Sequence, residues 1–387
     1  MQKPSPEAAN YLPPVFLGSM AFVFINFGLP IRADELGIGA FGIGGMYAMF
    51  TGALLLVRPL IGYGLDRFGR RGFFVSAFLF YGCAMGFMAI SVDVVDFYLA
   101  RFLQGIGAGL MWVSVRTLIA DLNGPAHRGE AMGRLTVTSV RGSMFGAMYG
   151  FTLLGFLPLP LAWVWAFGGY ALMALMGAAW AWATVVESRP KRAPESTLGS
   201  VSWNGRLVRL LVMVFLSAFA SALIEPIYLL FLKHKFELPL YALALAFLPA
   251  GLVMAVVPRY AGEWSDQFGR GRLIALGVTC AGFVSIALPH WSNMLFVGLS
   301  YMLFAFGWAV ASPAQEALVA DLAPAGTVGR IMGVKEAAAG IGAALGPLVG
   351  GLIYDYWTPD AAFAINGVLL LLTAVGAWVW FARDVSR

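Results

Sequence analysis

Long apolar runs separated by short polar turns constrain this chain more than any other feature. Each run has about the twenty residues that an α-helix needs to cross the hydrocarbon core of a bilayer. We count twelve runs between Tyr11 and Phe381. Charged residues make up only 12% of the 387 residues, about half their share in soluble domains. The sequence therefore predicts an all-α membrane protein with twelve transmembrane helices.

A charged, glycine-containing loop follows the second apolar run and is repeated after the eighth. Every matched residue of the second copy stands 200 positions after its counterpart. The pairs are Gly62 and Gly262, Asp66 and Asp266, Phe68 and Phe268, Gly69 and Gly269, and Arg70 and Arg270. The same shift relates Asp121 to Asp321, and Gly142, Gly146 and Gly150 to Gly342, Gly346 and Gly350. One register held over this distance predicts two six-helix bundles related by a pseudo-twofold axis.

A segment rich in proline and charge separates the two predicted bundles. We expect an N-terminal bundle over 1–186, a cytoplasmic linker over 187–206 and a C-terminal bundle over 207–387. Arginines concentrate in the loops on the linker's side, so this side and both termini are expected in the cytoplasm. The net charge of +5 then reflects orientation rather than nucleic-acid binding. We expect a monomer in the cytoplasmic (inner) membrane, surrounded by lipids.

Three motifs resemble a known family. The first repeated loop, Gly62-x-x-x-Asp66-Arg67-x-Gly69-Arg70-Arg71, is similar to the signature loop of the major facilitator superfamily. Arg101-x-x-Gln104-Gly105-x-Gly107 resembles its fourth-helix motif, and Gly342-x-x-x-Gly346-Pro347 resembles its glycine-proline motif. The fifth run has the matching glycines, with Ala147 in the place of Pro347. The resemblance implies the superfamily's twelve-helix fold and a secondary transporter, of the drug or metabolite efflux type, that works by alternating access.

The charges of the repeated loop favour a conformational latch at the cytoplasmic helix ends. Asp66 can face the amide dipole of a second helix, while the arginines can bind carboxylates or anionic lipid headgroups. The simpler interpretation is a loop that only obeys the positive-inside rule. A further ion pair could join Arg116 to Glu316, which are equivalent in the repeat. The predicted latch comprises Gly62, Asp66, Arg67, Gly69, Arg70, Arg71, Arg116, Asp121, Asp266, Arg270 and Glu316.

Charged residues inside the apolar runs are candidates for proton coupling, because each costs at least about 2.5–3.5 kcal/mol in hydrocarbon. Glu225, beside Pro226, lies deep in the seventh run, and a desolvated carboxyl group takes up a proton more readily than one in water. Asp34 is the second candidate acid. Arg141 lies within the fifth run, and the family resemblance implies that Arg101 favours proton release. The alternatives are an ion pair between Glu225 and one of these arginines, and a plain surface position for Asp34.

Polar and aromatic residues within the runs could line a central cavity, although an aromatic residue such as Trp112 or Trp308 is by itself more often a packing or interfacial residue than a ligand contact. They are Asn26, Gln104, Trp112, Tyr149, Tyr228, Trp308, Gln315 and Asn366. Few acids and many aromatic rings favour an amphipathic small molecule as the substrate.

Proton-coupled export of such a molecule is our leading hypothesis for function. Proton-coupled uptake of a sugar or organic acid, and a lipid-handling facilitator, are alternatives within the same class. A receptor of the same fold and a membrane-embedded enzyme are alternatives from other classes. Because His127, His234 and His290 are scattered, we predict no enzyme activity, no catalytic residue and no metal site. No phosphate-binding loop is present, so we expect that ATP is not the energy source. We also expect no cofactor. The expected partners are the substrate, the proton and membrane lipids, without nucleic acid.

Overall fold

The computed structural model describes residues 10–123, 128–188, 203–238, 243, 248–323 and 327–382, except the side chains at a few helical positions such as Asp66. These residues form α-helices and one 3-10 turn, Leu288–His290, and they contain no strand. The helices of the first half are α1 (Leu12–Ser19), α2 (Ala21–Glu35), α3 (Ala40–Phe68), α4 (Arg71–Ile90), α5 (Val94–Leu122), α6 (Arg128–Phe156) and α7 (Leu159–Thr184). Those of the second half are α8 (Gly205–Phe236), α9 (Leu248–Val256), α10 (Pro258–Phe268), α11 (Arg270–Ala287), α12 (Met294–Leu322), α13 (Val328–Tyr356) and α14 (Pro359–Phe381).

Ten helical segments of the described residues are long and apolar enough to cross a membrane. The predicted all-α, multi-span fold is confirmed. The fifth predicted span is present as α6, a 29-residue helix. It falls outside the ten because Arg134 and Arg141, with several hydroxyl side chains, lower its hydropathy.

The repeated charged segment is helical over most of its length, so its prediction as a loop was wrong. Helix α3 continues past Leu60, the predicted end of the second apolar run, to Phe68. The turn is confined to Gly69, where φ is +94°, and Arg70. The second copy behaves alike: α10 reaches Phe268 and Gly269 has φ +91°. No residue between Tyr63 and Phe68 breaks a helix, and glycine is favoured where φ is positive.

The eighth predicted span, Leu240–Tyr260, is not one helix in its described part. Residues 239–242 and 244–247 lie outside the description. The remainder forms α9 and α10, which meet at Val257. Pro258 opens α10, and its missing N–H removes one hydrogen bond that a continuous helix would need at this point.

The chain divides into two compact units: Met1–Ile38 with Gly45–Ser196, and Gly39–Gly44 with Thr197–Arg387. In the first unit α4 packs against α5 and α7, and α6 packs against α1 and α2. In the second unit α11 packs against α12 and α14, and α13 packs against α8. These pairings are the same once the 200-residue shift is applied, which gives the sequence repeat its structural counterpart.

Glycine rows let the paired helices approach closely in each unit. A Cβ atom at Gly146 would overlap the carbonyl oxygen of Met20, and one at Gly350 would overlap that of Leu223. Close backbone contact of this kind stabilises helix pairs where lipid supplies no hydrophobic driving force.

The second unit contains the first turn of α3, which is capped by the last turn of α13. The carboxylate of Asp355 accepts the N–H groups of Ala40 at 3.0 Å and Phe41 at 2.8 Å. A negative charge is favourable at a helix N-terminus, where these N–H groups have no partner within the helix.

Candidate functional site

Arg70 is the centre of a polar network in the first unit. It is buried, and its Nε donates to Oδ2 of Asp121, at the end of α5, over 3.0 Å. Its guanidinium group also donates to the carbonyl of Leu65. The same Asp121 oxygen accepts the Ser188 hydroxyl at 2.9 Å. One arginine therefore joins α3, α5 and the segment that follows α7.

Glu187 is a member of this network that the sequence did not indicate. Its Oε1 accepts the backbone N–H of Arg70 at 2.6 Å and lies 3.4 Å from that of Arg71, so it caps α4. The side chain of Arg71 donates to the carbonyl of Trp182 and lies 4.7 Å from the centroid of its ring. The sequence shows an acid directly after the sixth apolar run, but it does not show that this acid pairs with Arg70, which lies 117 positions earlier.

The second unit contains the equivalent pair. Arg270 forms an ion pair with Asp321 and lies 3.8 Å from Asp266. Arg67 of the predicted latch is exposed and donates to the Tyr63 hydroxyl at 3.3 Å. The surroundings of Gly62 and the side chain of Asp66 lie outside the description, so the roles of both residues stay predictions.

Arg101 lies deep inside the first unit and is only 2% exposed. Its Nη1 donates to Oε1 of Gln104 at 2.6 Å, and its Nε donates to the carbonyl of Met46 at 3.2 Å. The guanidinium carbon lies 4.9 Å from the ring centroid of Tyr47 and 4.5 Å from that of Phe50. Amide oxygens and the negative faces of two rings thus stabilise a buried positive charge.

The side chain of Glu225 is exposed on α8 rather than packed inside its unit, and its part in proton coupling stays a prediction. Pro226 follows it within α8. One turn further on, Tyr228 packs against Tyr301, with ring centroids 5.3 Å apart. The sequence could not show which face of α8 is open. Of the other two candidates for proton coupling, Asp34 is half-buried and Arg141 is exposed.

The residues predicted to line a cavity differ in their surroundings within each unit, and their role stays a prediction. Asn366 is fully buried and donates to the carbonyl of Ala220, so it joins helices α14 and α8. The hydroxyl of Tyr149 donates to the carbonyl of Trp165 at 2.8 Å, and Tyr149 lines an apolar cavity of about 680 Å³ with residues of α1 and α7. Trp112 packs against Phe22. Asn26 is exposed, and Trp308 and Gln315 are half-buried.

Lys335, near the start of α13, is only 7% exposed although it is charged. Its ammonium group forms ion pairs with Glu316 on α12 and, at 2.8 Å, with its neighbour Glu336. The possible ion pair between Glu316 and Arg116 stays a prediction. The guanidinium group of Arg116 lies 5.9 Å from the ring centroid of Trp112.

In the described part of the chain, no three or more His, Cys, Asp or Glu side chains are grouped so that they could hold a metal ion. Cys83 and Cys280 are free thiols.

Comparisons with known proteins agree on one family. The sequence model of the Major Facilitator Superfamily matches residues 15–334 and 210–387. A protein of Lactococcus lactis named as a homologue of the multi-drug resistance efflux pump PmrA is 24% identical, over 96% of this chain and 94% of its own. Multidrug resistance protein 1 of Bacillus subtilis is 25% identical, over 90% and 91%.

A solved structure has the same fold. The structure of a bacterial homologue of the human lysosomal transporter Spinster superposes with a TM-score of 0.81 at 16% identity, covering 98% of this chain and 97% of the other.

Proposed function

Because the chain belongs to the Major Facilitator Superfamily, we propose that it exports amphipathic small molecules across the cytoplasmic membrane, driven by protons that move inwards. The observation that carries this proposal is the match, over nearly the full length of both chains, to one relative named as a multi-drug resistance efflux pump homologue and another named as a multidrug resistance protein. The bundles 1–186 and 207–387 would alternate in access on either side of a cytoplasmic linker, in a protein that works as a monomer with both termini in the cytoplasm.

Glu225 is the acid that we assign to proton coupling. We place this exposed face of α8 on the transport pathway, where water, a proton or a positively charged substrate reaches the carboxylate without unpacking the helix. A carboxylate that accepts either a proton or a positive charge can exchange one for the other, which is the elementary step of antiport.

Arg101 contributes a permanent positive charge deep in the first unit. An arginine cannot lose its proton in a protein, so this charge is present throughout the cycle. It repels protons and cations that enter the unit and thereby favours their release.

The repeated cytoplasmic motif supplies the part that changes between states. Arg70 and Arg270 each pair with an aspartate at the end of a neighbouring helix. Ion pairs of this kind stabilise one arrangement of helix ends and can be exchanged for others as the helices move.

Transport in proteoliposomes tests the proposal. The purified protein is reconstituted with an imposed pH gradient, and the movement of ethidium is followed by its fluorescence. We expect gradient-driven ethidium movement, and we expect Glu225→Gln to lose it while Glu237→Gln keeps it. Glu237 is a suitable control because it is exposed at the C-terminal end of the same helix. Ethidium movement that ignores the pH gradient would reject proton coupling, and full activity of Glu225→Gln would reject the choice of acid.

A further inference from the structure

Lys335 occupies a position where the fold itself does not require a charge. The equivalent residue of the first unit, 200 positions earlier, is Leu135, which is buried to a similar degree, with 3% exposure against 7% for Lys335. The two helices otherwise correspond, including their glycine rows. Burying an ammonium group is unfavourable unless it is paired. A lysine at a site that leucine fills in the other repeat therefore points to a role in function.

The carboxylates that pair with Lys335 lie on different helices. Glu316 belongs to α12, six residues before its end at Leu322, and Glu336 follows Lys335 on α13. At about 1.5 Å per residue, Glu316 lies roughly 9 Å from the end of its helix. Both carboxylates are about half exposed while the lysine between them is buried.

Helices α12 and α13 have few other contacts with each other. Helix α13 packs along α8 for most of its length, and α12 packs mainly against α11 and α9. The ion pair between Lys335 and Glu316 is therefore a main connection between α12 and α13 within this unit. Any movement of α13 away from α12 has to break it.

Breaking that pair would normally leave a buried ammonium group without a counter-ion. Glu336 avoids this, because it lies on α13 and moves with the lysine. Its carboxylate keeps Lys335 neutralised while Glu316 separates. Glu316, once released, is an exposed carboxylate that can take the positive charge of a transported molecule.

We propose that Lys335 is a coupling residue of the transport cycle. When α12 and α13 separate, its ion pair with Glu316 on α12 breaks and its ion pair with Glu336 on α13 remains, a change that we call the hand-over. This inference rests on the proposed transport function. Lys335 acts through its two glutamates and is a positioning residue rather than a substrate ligand. While Lys335 is paired with Glu316, α13 is held against α12 until a positively charged molecule binds to Glu316. The hand-over then allows α13 to move without leaving the buried ammonium group of Lys335 unpaired.

Removal of Glu336 is the sharpest test, because a half-exposed glutamate should otherwise matter little. With Glu336→Gln, the lysine has no second partner and stays on Glu316. We expect the maximal rate of ethidium movement down its own gradient to fall about tenfold, as expected when a charge pair worth about 1.4 kcal/mol is lost. We expect the apparent KM and the thermal unfolding temperature to change little. Glu130→Gln is the matched control, since Glu130 pairs with Arg134 on an exposed helix face.

Replacing the lysine as well should reverse this loss. Lys335→Leu installs the residue of the other repeat and leaves two solvated carboxylates. In Lys335→Leu/Glu336→Gln there is no ammonium group to hand over, so downhill ethidium movement should recover to the level of Lys335→Leu. The single variant Lys335→Leu should keep the movement of ethidium down its own gradient but lose accumulation of ethidium against that gradient. The reason is that α13 can then move without a positive charge bound at Glu316.

Two results would overturn the inference: a Glu336→Gln rate within about twofold of wild type, or a loss that Lys335→Leu does not reverse. The downhill measurements need no pH gradient. If the wild-type protein moves ethidium down its own gradient but does not respond to a pH gradient, proton coupling is rejected, and the downhill measurements still test the hand-over.

Discussion

Arg70 and Asp121 form an ion pair of 3.0 Å between the turn after α3 and the end of α5. Arg270 and Asp321 repeat this pair in the second unit. The two pairs differ in their surroundings: the Arg70 side chain is buried, whereas the Arg270 side chain is partly open and Asp321 is half exposed. Water therefore screens the Arg270–Asp321 pair more than the equivalent Arg70–Asp121 pair.

This difference predicts unequal effects of the same substitution. Asp121→Asn leaves the buried Arg70 guanidinium group without its carboxylate, which costs about 1–3 kcal/mol. Asp321→Asn removes a pair that is screened by water and costs about 0–1 kcal/mol. We expect the apparent unfolding temperature in detergent to fall clearly more for Asp121→Asn. Equal shifts for the two variants would show that burial of Arg70 does not set the strength of its pair.

Gly69 offers a test of the turn that ends α3. Its φ of +94° disfavours other residues, and a Cβ atom would lie 2.5 Å from Oε1 of Glu187. Gly69→Ala should therefore cost about 1–3 kcal/mol through backbone strain and displace the cap on α4. Gly72→Ala is the control, because a methyl group there meets open space within α4 and alanine favours a helix. The lower unfolding temperature should appear only in Gly69→Ala.

The membrane fold and its repeat were predictable from the sequence because each rests on a local pattern. Apolar runs have to match the bilayer, and a fixed shift of 200 residues has to preserve equivalent contacts, such as Arg70 with Asp121 and Arg270 with Asp321. The end of α3 was less predictable. Charges after Leu60 indicate a membrane boundary, but they do not stop a helix that can continue into water.

The site residues depended on tertiary contacts that no local pattern encodes. Lys335 lies seven residues from the start of α13, where a long side chain could reach the membrane surface, but α12 supplies a partner that keeps it inside. Glu225 is in an apolar run, yet packing leaves its face of α8 open. Glu187 caps a helix that begins more than a hundred residues earlier.

Asp355 should control the stability of the first turn of α3. Its carboxylate accepts two N–H groups there, from Ala40 and Phe41. Asp355→Ala removes this cap, which costs about 0.5–2 kcal/mol. Amide hydrogen exchange at residues 40 and 41 should accelerate accordingly. Asp360→Ala, in the exposed first turn of α14, should leave exchange at these two residues unchanged. If Asp355→Ala left it unchanged too, the cap would not stabilise this helix end.

Arg101 should not tolerate lysine, although the charge is kept. The guanidinium group donates to Gln104 and to the carbonyl of Met46 from different nitrogens and lies close to the rings of Tyr47 and Phe50. A lysine ammonium is a point charge and cannot reproduce this planar arrangement. We expect Arg101→Lys to slow ethidium transport about tenfold, which corresponds to about 1.4 kcal/mol, while the protein stays folded.

The matched substitution is Arg141→Lys. Arg141 is exposed on α6, so a lysine there can keep its charge in the same surroundings, and transport should remain near the wild-type rate. The comparison separates the geometry of the buried guanidinium group from its charge. If Arg101→Lys transported as fast as wild type, charge alone would account for Arg101, and its contacts with Gln104 and the two rings would serve packing only.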